Sequence, residues 1–201
     1  MNLLEAYQHL ATLAPSFTTK EAGEVLHITP NHASSVLSHL EKKNSITRLK
    51  RGLWAYSDTL DPLLLPSILT QPMMAYVSLY TALYYHGLID QIPSVIFSVT
   101  NAKTKRYTTP LGTVSMHSIS PHLFTGFELY GEDDIMMATP EKALFDMCYF
   151  IPMKSHQFKR LTEVTIPDTF DWALIDTWVE LIEHPGRKQL TKSHLATLKN
   201  Q

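Results

Sequence analysis

The stretch FTTKEAGEVLHITPNHASSVLSHLEKKNSITRLKRGLW, residues 17–54, carries the pattern that decides the fold of the first part of the chain. Thr18 and Glu21 have the spacing of a capping box, in which each side chain bonds the backbone N–H of the other residue at a helix start. Phe17 is placed to act as the hydrophobic staple that accompanies such a box. The sequence therefore predicts a helix that begins after Thr18 and runs through Leu26.

A short turn and a longer helix are predicted next, over residues 27–43. Thr29 can cap this helix, because its hydroxyl can accept a hydrogen bond from a first-turn N–H. Pro30 suits the first helical position, where an N–H would have no partner within the helix. Asn44 tolerates the left-handed backbone conformation in which many helices end.

The segments on either side complete the pattern of the first unit. Residues 46–56 hold two β-rich runs around Gly52 and predict a hairpin. Residues 2–14 place apolar side chains at helical spacing and predict an amphipathic helix that Pro15 ends. Three helices, with a short turn between the last two and a hairpin after them, predict a winged helix-turn-helix over residues 1–57.

The rest of the chain is predicted to form a connector and a second unit. Residues 58–72 are too apolar to stay solvated, so we expect a connector that packs, followed by an α+β domain over residues 73–201. The patterns in the second unit predict a helix at 73–87, strands at 95–99 and 114–119, a polar basic loop at 101–112, a hairpin at 127–138, a helix after Thr139, and two helices after Asp171. The predicted fold class is α+β, with an N-terminal winged helix-turn-helix and a mixed α/β C-terminal domain.

Charge is distributed unevenly between the two parts. The chain of 201 residues has a formal net charge of -2, whereas residues 1–57 hold six Lys/Arg against four Glu. Within residues 31–57 the count is five basic residues against one acidic residue. A basic segment on an otherwise acidic protein is typical of a face that meets phosphate groups.

Cysteine usage and hydropathy bear on the compartment. The single cysteine, Cys148, lies in an apolar stretch, so we expect a buried thiol in a reducing environment and no disulfide within the chain. The N-terminus lacks the pattern of a signal peptide, and no run reaches the ~18 apolar residues of a membrane helix. These features predict a cytoplasmic protein with no membrane partner.

The third predicted helix has a polar side made of small residues. With ~100° of rotation per residue, its apolar residues gather on the opposite side. The residues on or flanking the polar side are Asn31, His32, Ser34, Ser35, Ser38, His39 and Lys42. Small side chains let a helix enter the DNA major groove, where asparagine can bond an adenine edge and serine can donate or accept. We expect this side to contact double-stranded DNA, with an ordinary solvated helix as the alternative.

Two groups of cations accompany this helix. The first lies at and near the hairpin tip, where a wing reaches a phosphate or the minor groove: Lys43, Arg48, Lys50 and Arg51. The second, in the predicted loop, could touch DNA or RNA, although a solvated loop is the favoured interpretation: Lys103, Lys105 and Arg106.

Several segments resemble the AbiEi family, the antitoxins of type IV toxin–antitoxin operons. In the first unit these are residues 17–22, 30–34, 40–43 and 49–54. The more distinctive ones lie in the second unit: YVSLYTALYYHGL at 76–88 with QIP at 91–93, and TPEKALFD at 139–146. The resemblance covers about residues 15–150. It departs from the usual family pattern at Asn44, where glycine is usual, and at Trp54, where tyrosine is frequent.

The resemblance has functional implications. It implies a bacterial or archaeal transcriptional repressor that binds operator repeats in its own promoter, with an antitoxin role carried by the second domain. It also implies a nucleotidyltransferase-like toxin as functional partner, opposed without a stable complex. We accordingly expect a monomer or weak dimer without a cofactor and without enzymatic activity.

Two other functions remain open at this point. A helical unit with a hairpin can also be a protein-interaction module that neutralises a toxin by direct contact. A metal-dependent nuclease is weakly suggested by four residues, Asp133, Asp134, Glu141 and Lys142. Glu141 and Lys142 are adjacent on a helix, however, so their side chains diverge by ~100°. The histidines lack ligand spacing, so we predict no metal site and no catalytic residue. His86 is expected to bond the last carbonyls of its own helix.

Overall fold

The computed structural model describes residues 2–56, 58, 60–132, 134–151 and 164–199. The first unit contains, in chain order, α1 (Leu3–Leu10), β1 (Ser16–Thr18), α2 (Thr19–Val25), α3 (Pro30–Lys42), β2 (Thr47–Lys50) and β3 (Leu53–Ala55). Its strands form an antiparallel sheet in the order β1-β3-β2. The helices and the hairpin lie where the sequence predicted them.

The local signals for helix ends are confirmed. The Thr18 hydroxyl accepts a hydrogen bond from Glu21 N at 3.2 Å, and the Glu21 carboxylate accepts one from Thr18 N at 2.7 Å. The Thr29 side chain caps α3. Asn44, after the end of α3, has a φ of +57°. Each of these features depends on neighbours in the chain, which is why sequence alone predicts it.

The first unit has its own apolar core between the helices and the sheet. Its buried members are Ala6, Leu10, Phe17, Ala22, Leu26, Leu37, Leu40, Ile46, Trp54 and Tyr56. The α2–α3 turn comes close to this core because Gly23 has no side chain. A Cβ at Gly23 would lie 3.1 Å from the Ile28 carbonyl oxygen, a distance at which the neighbouring turn would have to move by a few tenths of an ångström.

The second unit is built on a mixed six-stranded sheet in the order β6-β7-β5-β4-β9-β8. After a short 3-10 turn at Pro62–Leu64, its elements are α4 (Leu65–Thr70), β4 (Ala75–Val77), α5 (Leu79–Tyr85), β5 (Ile96–Thr100), β6 (Lys105–Thr109), β7 (Gly112–Ser118), β8 (Phe127–Tyr130), β9 (Ile135–Ala138), α6 (Pro140–Phe150), α7 (Trp172–Glu180) and α8 (Pro185–Lys199). The β4–β9 and β5–β7 pairs are parallel, and the other pairs are antiparallel. The chain is therefore α+β, as predicted.

Two predictions about this unit are wrong. Residues 73–87 do not form one helix, because Ala75–Val77 is β4, which pairs with β5 on one side and β9 on the other. Residues 101–112 do not form one loop, because Lys105–Thr109 is the edge strand β6, paired with β7. The partners of β4 come from distant parts of the chain, so tertiary pairing outweighs the local pattern there. β6 instead pairs with the next strand through a tight turn, a local hairpin that the sequence analysis missed.

The role predicted for His86 also needs correction. Its Nε2 lies 2.8 Å from the carbonyl oxygen of Ala138 in β9. The imidazole therefore contacts the neighbouring strand and not the last carbonyls of α5. It helps to join α5 to the sheet.

The two units share an apolar interface. Its buried residues come from the hairpin, the connector and β7: Leu49, Leu53, Ala55, Leu60, Leu65, Ile68, Leu69, Val114 and Met116. Residues 60–69, which include most of α4, thus pack against both the hairpin and β7. One face of the β2–β3 hairpin is buried against the second unit, which fixes the hairpin relative to the large sheet.

Within the described ranges, no helix combines the length and the apolar character needed to span a bilayer.

Candidate nucleic-acid interface

The polar side of α3 lies at the surface along its whole length. Ala33, Leu37 and Leu40 are buried in the core of the first unit. The opposite residues are exposed apart from half-buried Ser38: Asn31, His32, Ser34, Ser35, Ser38, His39 and Lys42. The structure therefore brings these seven predicted residues onto one accessible helix surface.

The serines on this surface bond the backbone of their own helix. Ser35 Oγ donates to the Asn31 carbonyl at 3.3 Å, and Ser38 Oγ donates to the Ser34 carbonyl at 2.9 Å. Because each hydroxyl proton is directed at the helix, the serine oxygens are left to act as acceptors. The exposed amide of Asn31 carries both a donor and an acceptor. The surface can therefore complement base edges that present amino groups, such as adenine N6 or cytosine N4.

The hairpin turn is held beside the helices of the first unit. Thr19 N, at the start of α2, donates to the Gly52 carbonyl at 3.0 Å. Trp54 Nε1 donates to the Thr19 hydroxyl at 2.9 Å. The exposed side chain of Arg51 precedes Gly52 in the turn, and the Arg48 guanidinium lies 5.6 Å from the centre of the Trp54 ring. Arg48 and Arg51 thus carry positive charge on the hairpin close to the start of α2.

Lys50 differs from the other hairpin cations. It is half-buried, and its Nζ donates to the Leu69 carbonyl at 2.8 Å. The same Nζ lies 5.9 Å from the centre of the Tyr107 ring. Leu69 lies in the last turn of α4 and Tyr107 belongs to β6, so the second unit holds this ammonium. Sequence reasoning missed the contact, since the two partners lie far along the chain.

The second basic cluster lies on or just before β6. Lys103, Lys105 and Arg106 are exposed. The Lys105 Nζ lies 4.5 Å from the centre of the Tyr107 ring, the ring that Lys50 also approaches. The structure therefore places this cluster next to the hairpin, although the two are more than fifty residues apart in the sequence.

The residues considered for a nuclease do not gather into a site. Lys142 is fully buried, whereas Asp134 is exposed at the β8–β9 turn. Glu141 accepts a hydrogen bond from Asp171 N at 3.2 Å at the start of α7. Asp133 lies outside the described residues. Within the part of the chain that the structure describes, no three His, Cys, Asp or Glu side chains group closely enough to hold a metal ion.

A buried polar network in the second unit escaped the sequence analysis. Lys142 donates to the Asp146 carboxylate one helical turn later in α6, and both side chains are fully buried. Asp146 Oδ2 also accepts from Tyr76 Oη at 2.9 Å and Ser78 Oγ at 2.7 Å. Burial raises the pKa of Asp146 and lowers the pKa of Lys142, while their mutual attraction opposes both shifts. The network ties α6 to β4 and the start of α5.

Cys148 is buried in α6, as predicted, and burial raises the pKa of its thiol to about 12. The thiol is therefore protonated at neutral pH and unreactive as a nucleophile.

Comparison with known proteins adds no family to this description. No protein-family model matches the chain, and no curated protein sequence is significantly similar to it.

Proposed function

We propose that residues 1–57 form a winged helix-turn-helix that binds double-stranded DNA, and that the protein represses transcription. One observation carries this proposal: the exposed polar side of α3 is made mainly of small and amide side chains, and the hairpin of the same unit carries the exposed Arg48 and Arg51. A helix of this kind fits the major groove, and the hairpin then lies over the adjacent backbone.

Each group of residues has a distinct role in this proposal. Asn31, Ser35 and Ser38 read base edges from the major groove, and Lys42 extends the same side of α3. Lys43, Arg48 and Arg51 bind phosphates, which gives affinity without reading sequence. Lys50 can add a phosphate contact only if it leaves the Leu69 carbonyl. The α3 residues therefore determine specificity and the cations determine strength.

The β6 cluster offers a secondary contact with nucleic acid. Lys103, Lys105 and Arg106 lie next to the hairpin, so DNA that passes over the hairpin can continue toward β6. Cations on both units would then bind one duplex. This arrangement favours DNA over RNA as the ligand of the β6 cluster, because Lys105 and the hairpin residue Lys50 approach the same Tyr107 ring.

The biological role that we propose is repression of the protein's own operon as the antitoxin of a type IV toxin–antitoxin system in the cytoplasm. The support is the resemblance of residues 76–93 and 139–146 to the AbiEi family, in addition to the DNA-binding surface. The antitoxin role is assigned to the second unit, and its target is a nucleotidyltransferase-like toxin that it opposes without a stable complex.

The experiment is a binding titration of the full chain with its own promoter fragment at several salt concentrations. Three neutralised phosphates, one each for Lys43, Arg48 and Arg51, give a slope of about -2.7 in a plot of log affinity against log salt. An affinity for the promoter no higher than that for a scrambled duplex would overturn the proposal. Size exclusion of the protein co-expressed with the adjacent operon product tests direct neutralisation, which requires a stable complex.

A further inference from the structure

A groove on the second unit lies apart from the candidate DNA surface. It runs between the 3-10 turn at Pro62–Leu64, the C-terminal half of α5 and the loop before β5, with a cavity volume of about 140 Å³. Its lining includes Asp61, Leu63, Tyr84, Tyr85, Ile92 and Pro93. We call it the tyrosine groove.

The tyrosine groove presents large apolar side chains to solvent. Tyr85 is 43% exposed and Ile92 is 72% exposed. The aromatic surface extends beyond the groove, since ring centres lie 5.6 Å apart for Tyr84 and Tyr85 and 6.1 Å apart for Tyr85 and Tyr130 in β8. Tyrosines are enriched at protein interfaces because they offer a large contact area at a small cost in conformational entropy.

Among the described residues, the charged side chains that line the groove or flank it on α5, the following loop and β8 are acidic. Asp61 lines the groove. Burial of Tyr85 is the main cause of its raised pKa, and the negative charge of Asp61 raises that pKa further. Asp90 and Glu128 are exposed, and Glu128 lies in β8 next to Tyr130. No lysine or arginine occurs in residues 52–102 or 107–141, the segments that contain the groove and β8. A cationic ligand is therefore complementary to this surface, whereas a phosphate backbone is repelled.

The sheet separates the tyrosine groove from the β6 cations. β5 begins at Ile96, which lines the groove, and ends at Thr100, before Lys103. Arg106 in β6 is in register with Ser115 in β7 and Phe97 in β5, so two strand spacings, roughly 10 Å in all, separate it from β5. β7 lies between β5 and β6 in the sheet. The acidic tyrosine groove and the basic β6 cluster are therefore distinct surfaces.

We propose that the tyrosine groove binds an arginine-bearing segment of a partner protein. The guanidinium lies against the tyrosine rings with its charge toward Asp61, and an apolar neighbour in the segment packs on Ile92. Arginine suits this site because its planar cation stacks on aromatic faces and also bonds carboxylates. The protein then has two independent surfaces, one for nucleic acid and one for a basic protein segment. This second surface does not depend on DNA binding.

The test is calorimetric titration of the full chain with a short blocked peptide that repeats Arg-Leu-Ser, against a matched peptide that repeats Glu-Leu-Ser. The arginine peptide is expected to bind and the glutamate peptide to give no heat. Tyr85→Ala and Asp61→Asn should each weaken binding about tenfold, and Tyr85→Phe should retain it. Asparagine keeps the side-chain oxygen that accepts from Leu63 N at 2.8 Å, so Asp61→Asn removes the charge and preserves the turn.

Matched controls come from other surfaces. Leu190 in α8 is 48% exposed, similar to Tyr85, and Glu24 in α2 is an exposed carboxylate. Leu190→Ala and Glu24→Gln should leave peptide affinity unchanged, and thermal unfolding checks that every variant is folded. The proposal is overturned if the arginine peptide does not bind, if it binds the Tyr85→Ala and Asp61→Asn proteins as it binds the unmodified chain, or if the controls weaken binding equally.

Discussion

The ammonium group of Lys50 donates a 2.8 Å hydrogen bond to the backbone carbonyl of Leu69, across the interface between the two units. The next residue, Arg51, is exposed in the hairpin turn. Two cations that are adjacent in the sequence therefore lie in different environments. Lys50 helps to join the units, whereas Arg51 presents its charge to solvent.

This difference predicts that Lys50 and Arg51 respond differently to alanine substitution. Arg51→Ala should weaken binding to all duplex sequences and reduce the salt slope by about 1, because one phosphate contact is lost. Lys50→Ala should change the slope less and lower the free energy of unfolding by about 1 kcal/mol, because the Leu69 carbonyl loses its donor. Fluorescence anisotropy at several salt concentrations and urea unfolding measure the two effects. If Lys50→Ala changed the salt dependence of DNA binding as much as Arg51→Ala does, the assignment of Lys50 to the interface between the units would be wrong.

The polar side of α3 gives a prediction about specificity. Replacing Asn31 and Ser35 by alanine should lower affinity for the promoter about tenfold or more, because base-edge contacts are lost. Affinity for unrelated duplex DNA should stay the same, since both side chains are neutral. Competition binding with promoter and scrambled fragments measures the ratio. Gln8→Ala, which removes an exposed neutral amide from α1, is the control, and an equal loss for both fragments would exclude base reading by Asn31 and Ser35.

The buried pair in α6 gives a prediction about stability. Lys142→Met removes one partner and leaves the Asp146 carboxylate buried without its cation, so the free energy of unfolding should fall by about 3–5 kcal/mol. Lys188 makes a comparable contact with Glu180 at the surface, at 2.8 Å. Lys188→Met should lower the free energy of unfolding far less than Lys142→Met does, because water screens that exposed pair. Urea unfolding of both variants measures the contrast.

The same pair allows a second check on that prediction. Replacing Asp146 by leucine in the Lys142→Met background removes both charges from the core. The double variant should lose less stability than the sum of the two single variants, because no buried charge remains unpaired. Strict additivity would mean that the two groups do not interact in the folded protein.

A glycine next to this pair is open to a steric test. Gly126 has a φ of +75°, and a Cβ there would lie 2.6 Å from Trp178 Cζ2 and 3.0 Å from Lys142 Cγ. Gly126→Ala should therefore lower the free energy of unfolding by about 2 kcal/mol or more, through strain in the backbone and in the packing. Gly131→Ala is the matched control, because Gly131 also has a positive φ of 72° but has open space around it. Similar losses in the two variants would show that packing against Trp178 is unimportant.

Sequence reasoning succeeded where the physical cause was local. The capping residues Thr18, Glu21 and Thr29 and the left-handed Asn44 act on backbone groups within a few positions, so the helix boundaries of the first unit follow from neighbours in the chain. The apolar side of α3 was also predicted, because helical periodicity reports which residues face a core.

Sequence reasoning failed where a partner from far along the chain decides the environment. β4 is a strand because β5 and β9 supply its hydrogen-bond partners. Lys142 and Asp146 have the spacing of an ordinary surface pair, yet Tyr76 and Ser78 bring the carboxylate into the core. Lys50 likewise has the same sequence context as the exposed cation Arg51, and its environment differs because α4 packs beside it. Local pattern contains no information about these contacts.

His117 in β7 gives the last prediction, which concerns pH. It is 8% exposed, its Nε2 lies 3.1 Å from Ser115 Oγ, and the ring packs against Phe97 and Phe150. Burial lowers the pKa of His117 from 6.5 to about 4. Below pH 6.5 the unfolded chain therefore takes up a proton that the folded protein does not bind. The free energy of unfolding should fall by about 2 kcal/mol between pH 7.5 and pH 5 from this group alone.

Other groups titrate over the same range, so the contribution of His117 has to be isolated by comparison. The His117→Gln variant cannot take up this proton in the folded or the unfolded state. Between pH 7.5 and pH 5 its free energy of unfolding should therefore fall by about 2 kcal/mol less than that of the unmodified chain. Parallel pH profiles for the unmodified chain and His117→Gln would mean that His117 takes up its proton in the folded protein as readily as in the unfolded chain.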